Sequence, residues 1–104
     1  MSLIPYTAPY TGITVDILTQ QLAGYFGLKG TTGLLVRNID PNSPGSRSGV
    51  RAGDVICKAD DVPMTSRSRW SHALRENRHE AVKLQILRDR KPVTLILTLA
   101  ASKS

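Results

Sequence analysis

Few side chains in this chain are of a kind that does covalent chemistry, and their spacing decides what they can do. "GSRSG" (45–49) has the glycine spacing of a G-x-S-x-G nucleophile turn, but Arg47 stands where the serine is needed, and the segment links turn to turn rather than strand to helix. His72 falls in an expected surface helix and His79 in a loop, and neither has a partner at metal-ligand spacing. Asp60-Asp61 is a carboxylate pair, yet adjacent residues on a turn seldom converge on one substrate atom, so both read as turn formers. "GYFGLKGTT" is glycine-rich and carries a lysine but does not fit the G-x-x-x-x-G-K-[ST] phosphate loop. Cys57, inside an apolar run, reads as a small buried hydrophobe. No catalytic residue, metal site or cofactor is expected from these residues.

Composition narrows the classes further. The 104 residues suffice for one domain with one modest core. A single cysteine allows neither an internal disulfide nor a thiolate cluster. No apolar run approaches the ~20 residues that cross a bilayer, so no direct membrane insertion is expected. The start "MSLIPYTAPY" lacks the basic and long apolar regions of a signal peptide and reads as a linker or extended arm of a domain cut from a longer protein. The net charge of +6 raises nucleic acid, acidic lipid or acidic peptide as partners. The basic residues are scattered and aromatics make up only 5%, which argues against a base-stacking platform and for no nucleic acid.

These residues must be positioned by short elements. "GITVDIL" (12–18) alternates Ile13, Val15 and Ile17 against Thr14 and Asp16, the pattern of a strand. "TQQLAGYF" (19–26), with Leu18, Leu22 and Phe26 at i, i+4, i+8, predicts a short helix capped by Thr19. "LLVRNI" (34–39) and "DVICKA" (54–59) predict strands separated by the turn formers "DPNSPG". Residues 65–77 predict a second helix carrying Trp70 and Leu74. "AVKLQILRD" and "PVTLILTL" predict a hairpin across "RK". The sum is an α+β domain, a partly open barrel or sandwich of five to six strands with two helices, over residues 10–99, with 1–9 a linker and 100–104 a tail.

"GLLVRNIDPNSPGSRSGVRAGDVI" resembles the signature of a PDZ domain, with Gly33, Val36, Ser43, Pro44, Gly49, Val50, Gly53, Asp54 and Ile56 at matching positions. The order of elements is similar to the circularly permuted PDZ domains that follow the trypsin-like domain of HtrA/Deg-type serine proteases. The chain departs from the pattern at Gly45 and Ser48, where alanines are usual, and at Asp61 and Arg90, where turn glycines are usual. The resemblance implies a peptide-binding module that recruits substrate or regulates a parent serine endopeptidase, in the periplasm or cell envelope. The implied partners are peptide or unfolded-protein C-termini and the parent protease domain, with any oligomerisation through domains missing here. A scaffold or self-association module of a non-protease bacterial protein is the alternative.

Such domains bind an extended peptide as an added strand and capture its terminal carboxylate on backbone N–H groups. By the resemblance, "YTGI" (Tyr10, Thr11, Gly12, Ile13) is the carboxylate-binding loop, and Ile13, Thr14 and Val15 pair with the peptide backbone. Helical spacing puts Arg67, Ser71 and Leu74 on one face as the opposite wall, with Leu74 and Ile13 lining the terminal pocket and Trp70 in the core. Thr11 occupies a position that is usually apolar. Arg67 is expected to favour an acidic peptide side chain, and Gly12→Val is expected to abolish binding without harming the fold.

Overall fold

The computed structural model describes residues 10–28, 33–76 and 81–99. The elements run β1 (Ile13–Ile17), α1 (Gln20–Tyr25), β2 (Leu34–Ile39), α2 (Pro44–Arg47), β3 (Val55–Ala59), β4 (Val62–Pro63), α3 (Arg67–Glu76), β5 (Ala81–Arg88) and β6 (Lys91–Thr98). All pairings are antiparallel, in the order β1-β2-β3-β5-β6, with β4 hydrogen-bonded to β3. The sheet stays open, with β1 and β6 as its two ends. The described residues hold three helices rather than two: Ser43-Pro44 starts a four-residue helix, in which the Ser43 hydroxyl accepts from Ser46 N–H at 3.1 Å. Pro44 suits the first helical position because its missing N–H would have had no intrahelical partner.

Alternation along the strands divides the apolar residues between two layers. Leu34, Val36, Ile56, Leu84, Ile86 and Leu97 join Trp70 and Leu74 of α3 in the larger cluster. Leu18, Ala23 and Val55 form the smaller one, against which Leu35, Leu87 and Phe26 pack. Two expectations for this second layer change. Leu22 is 50% exposed, and α1 buries Ala23 instead, because six residues offer only one narrow contact face. Ile17 is 49% exposed although Val15 is buried. The pairing of β1 with β2 shifts register between Thr14 and Val15, with Arg37 as the extra residue on β2. Cys57 is half-buried, and desolvation raises its thiol pKa.

Both hairpins use two-residue turns in which both residues have positive φ. Asp60 and Asp61 sit at 51° and 68°, and Asp89 and Arg90 at 54° and 66°. The last turn is therefore Asp89-Arg90, one residue earlier than expected, and Arg88 pairs with Lys91. This is type I′ geometry, which matches strand twist but usually takes Asn or Gly. Arg90 is held there by Nε and Nη2 donating to the Tyr25 carbonyl at 3.0 and 2.8 Å.

The segment with Gly49 and Gly53 is locked from inside. The Asp54 side chain, 2% exposed, accepts from Arg88 Nε at 2.9 Å, Arg88 Nη2 at 2.8 Å and Arg51 N–H at 2.9 Å. Arg88 also donates to the Gly49 carbonyl at 2.7 Å. Gly49 and Gly53 take φ of 94° and 97°, a region that disfavours a Cβ. The connection thus fixes β3 beside β2 and, through α2, the floor under residues 11–13.

Candidate functional site

The loop before β1 is built from its carbonyls outward. Thr11 C=O accepts from Gly45 N–H at 2.8 Å, and Gly12 C=O accepts from Asp40 N–H at 2.9 Å. Among the described residues no peptide bond is cis, and in a trans peptide the C=O and the following N–H point in opposite directions. With both carbonyls tied to α2 and to the residue after β2, the N–H groups of Gly12 and Ile13 turn away from the body of the fold. Gly12 permits this at φ 77°.

Gly45 and Ser43 supply the close approach. A Cβ on Gly45 would strike the Ile13 side chain and the Thr11 carbonyl, so glycine in place of alanine makes room for Ile13. A Cβ on Gly12 would strike the Ser43 side chain, which is itself held by donation to the Asp40 carbonyl at 2.7 Å. Gly12→Val therefore cannot leave the fold untouched, and that expectation is withdrawn. Tyr10 is exposed, and its hydroxyl donates to Asp40 Oδ2 at 2.6 Å, an interaction that raises the phenol pKa. Thr11 is only 6% exposed, and its Oγ1 accepts from Ile13 N–H at 3.1 Å.

Among the described residues β1 pairs on one side only, with β2, which leaves its other edge open. α3 packs against β1. Along β1, Ile13 is half-buried against the larger cluster, Thr14 is exposed and Val15 is buried. Across from it, Leu74 is 3% exposed in the same cluster as Val15, Ser71 is half-buried and Arg67 is exposed. At about 100° per residue, Arg67, Ser71 and Leu74 share one arc of α3, with Trp70 beside Leu74. The nine residues singled out in the sequence thus lie on one loop, one strand and one helix that meet along a single edge.

Arg67 does not stand free there. Its Nη2 donates to Asp16 Oδ1 at 2.8 Å, while Arg37 Nη1 donates to Asp16 Oδ2 at 3.1 Å. Hydrogen bonding from Arg37, followed by its charge and those of Arg67, holds the Asp16 carboxyl below its ordinary 3.8. Asp16 and Arg37 are diagonal neighbours across β1 and β2, and Arg67 joins them from 51 residues away. An acidic ligand would have to compete with Asp16 for Arg67. Sequence reasoning assigned Asp16 no role, because no local spacing links it to Arg67.

Other candidates lie elsewhere. A cleft of about 500 Å³ between the β3–β4 turn and the far side of α3 is lined by Val62, Ala73, Arg69 and His72 among others. His72 Nε2 is 3.8 Å from Glu76. His79 lies outside the described residues. Among the described residues no three His, Cys, Asp or Glu side chains gather as a metal site, and no helix is long and apolar enough to cross a membrane.

An open edge strand, a helix packed along it and a glycine loop with outward N–H groups define a class, and comparison with known proteins agrees. The PDZ domain model matches residues 9–99, and the chain belongs to the PDZ domain family. Its relatives include the "Probable periplasmic serine endoprotease DegP-like" of Rickettsia prowazekii, 32% identical over 91 residues. That match covers 86% of this chain and 18% of the relative, so the chain spans under a fifth of the protein it matches. Among solved structures, the HtrA-type protease AlgW with a decapeptide superposes with a TM-score of 0.75 at 25% identity, over 94% of this chain and 30% of AlgW. The HtrA3 PDZ domain bound to a phage-derived ligand (FGRWV) gives a TM-score of 0.75 at 23% identity, over 88% of this chain and 85% of that domain.

Proposed function

We propose that this chain is the peptide-binding module of a larger HtrA-like serine endopeptidase, recruiting substrate or regulating the protease by adding a peptide as a strand to β1. The observation that carries the reading is the edge of β1 facing α3, unpaired among the described residues, beside a loop whose Gly12 and Ile13 N–H groups turn outward. Backbone hydrogen bonds to Ile13, Thr14 and Val15 supply affinity, and side chains reaching Leu74, Ser71 and Arg67 supply selectivity. The ligands are C-termini or extended segments of unfolded proteins. The names of the relatives support a periplasmic setting and a protease domain as covalent neighbour. The PDZ structures solved with peptides support the ligand class.

The test is a fluorescence-anisotropy titration of the 104-residue chain with decapeptides ending in small or medium apolar residues. Binding is expected at about micromolar Kd, roughly −8 kcal/mol. Ser71→Trp fills the helix wall and is expected to weaken binding at least about tenfold, some 1.4 kcal/mol. His72→Trp, on the far side of α3, is the control and is expected to leave binding unchanged. Equal loss in both variants, or loss in neither, refutes the groove; concentration-dependent self-association without peptide binding favours the scaffold reading.

A further inference from the structure

A charged ligand terminus needs N–H donors that are available. The Ile13 N–H turns toward the open edge of β1, yet it already donates to Thr11 Oγ1 at 3.1 Å. Thr11 is 6% exposed and its own carbonyl is tied to Gly45, so the hydroxyl is held against this amide by the fold. A threonine bonding the amide two residues on is a local motif that satisfies a backbone donor without any partner chain. An acceptor oxygen of the domain therefore stands where an oxygen of a peptide carboxylate would stand.

We propose that Thr11 is a specificity determinant of this groove at the chain end: its hydroxyl caps the Ile13 amide and suppresses selection for a free C-terminal carboxylate. This rests on the strand-addition reading above. Three consequences follow from the geometry. The edge of β1 remains open to peptide backbone whatever happens at the loop. A carboxylate gains little from the Ile13 donor, which already has an oxygen, and is left with the Gly12 N–H. A neutral chain end, or a segment continuing past the loop, forgoes only that one contact. The groove thus discriminates weakly between extended segments with and without a free terminus.

The experiment compares matched peptides. A panel of decapeptides with valine last, each synthesised as free acid and as C-terminal amide, is titrated against the 104-residue chain and the variants Thr11→Val and Thr11→Ser. The parent and Thr11→Ser, which keeps the hydroxyl, are expected to bind acid and amide within about threefold of each other. Thr11→Val frees the Ile13 N–H and is expected to favour the acid by about tenfold or more, the yield of one charge-assisted hydrogen bond. Affinity for the amide reports in the same series that the groove is intact, and Thr11→Ala replaces Thr11→Val if the latter does not melt cooperatively. A parent that already prefers the acid tenfold, or a hydroxyl-free variant with the parent's ratio, overturns the role of Thr11 while leaving the groove standing. Failure of the whole panel to bind any variant in either form overturns the groove and Thr11's role with it.

Discussion

Replacing Arg88 by Met removes the partner of the most deeply buried carboxylate described. Asp54, 2% exposed on its side chain, accepts three N–H groups, and two of them belong to Arg88. Arg88→Met keeps the aliphatic stem but leaves the carboxylate with Arg51 N–H alone and the Gly49 carbonyl without its guanidinium donor. Stranding a buried charge in this way costs about 3–5 kcal/mol. The Arg88 side chain is 23% exposed, so water can enter beside it, which favours the lower end of that range. Domains of this size are stable by about 5–15 kcal/mol, and each kcal/mol moves the melting midpoint by about 4–8 °C. A loss near 3 kcal/mol corresponds to a fall of roughly 12–24 °C. The assay is thermal and urea unfolding followed by circular dichroism, with Asp54→Asn/Arg88→Met beside the single variant. The double variant should recover part of the loss, because no charge is then buried and the amide oxygen can still accept from Arg51. An Arg88→Met domain that melts within a few degrees of the parent would refute the buried pair as the lock of this turn.

Gly12→Ala should destabilise by about 1–3 kcal/mol, through its positive φ and the Ser43 side chain, whereas Gly53→Ala meets open space and should cost only the strain of its φ, about 1 kcal/mol; melting curves with the opposite ranking would contradict the packing at Ser43. Gly45→Ala should displace Ile13 and weaken peptide affinity and stability together, so unchanged values of both would show that the loop has slack. The Asp16 carboxyl should titrate in NMR below 3.8, since Arg37 and Arg67 favour its charged form. Because its folded pKa is depressed, the bridge's contribution to stability is present above the unfolded value and lost as pH falls through the folded one. An Asp16 midpoint at or above 3.8 would mean that the bridge does not persist in solution.

The strands buried on both faces were legible. β2 spans Leu34–Ile39 as the pattern of "LLVRNI" requires, and Leu34 and Val36 face the larger cluster while Leu35 faces the smaller. What escaped was set by pairing rather than by local pattern. The extra residue Arg37, beside the Thr14 and Val15 pairings, arises only when β2 pairs with β1. The Asp60-Asp61 and Asp89-Arg90 turns lack the glycine or asparagine that marks type I′ geometry; the first was legible from its aspartates as turn formers, the second from spacing alone. The loop and groove residues came from a family likeness, and their meeting along one edge depends on tertiary packing that no single element encodes. Asp16 was invisible as a partner of Arg67 because 51 residues separate them. The contact of Thr11 with Ile13 was the opposite case. A hydroxyl two residues before an amide is a local signal, and it went unread because the position was compared with an apolar family norm.

The most direct measurement is an NMR titration of the isotopically labelled chain with an unlabelled decapeptide from the panel. Strand addition predicts intermolecular contacts between the peptide backbone and the amides of Ile13 to Val15, with slowed hydrogen exchange there and shifts along Ser71 and Leu74. Shifts confined to the cleft lined by Val62, Ala73 and His72, with β1 unperturbed, would contradict it.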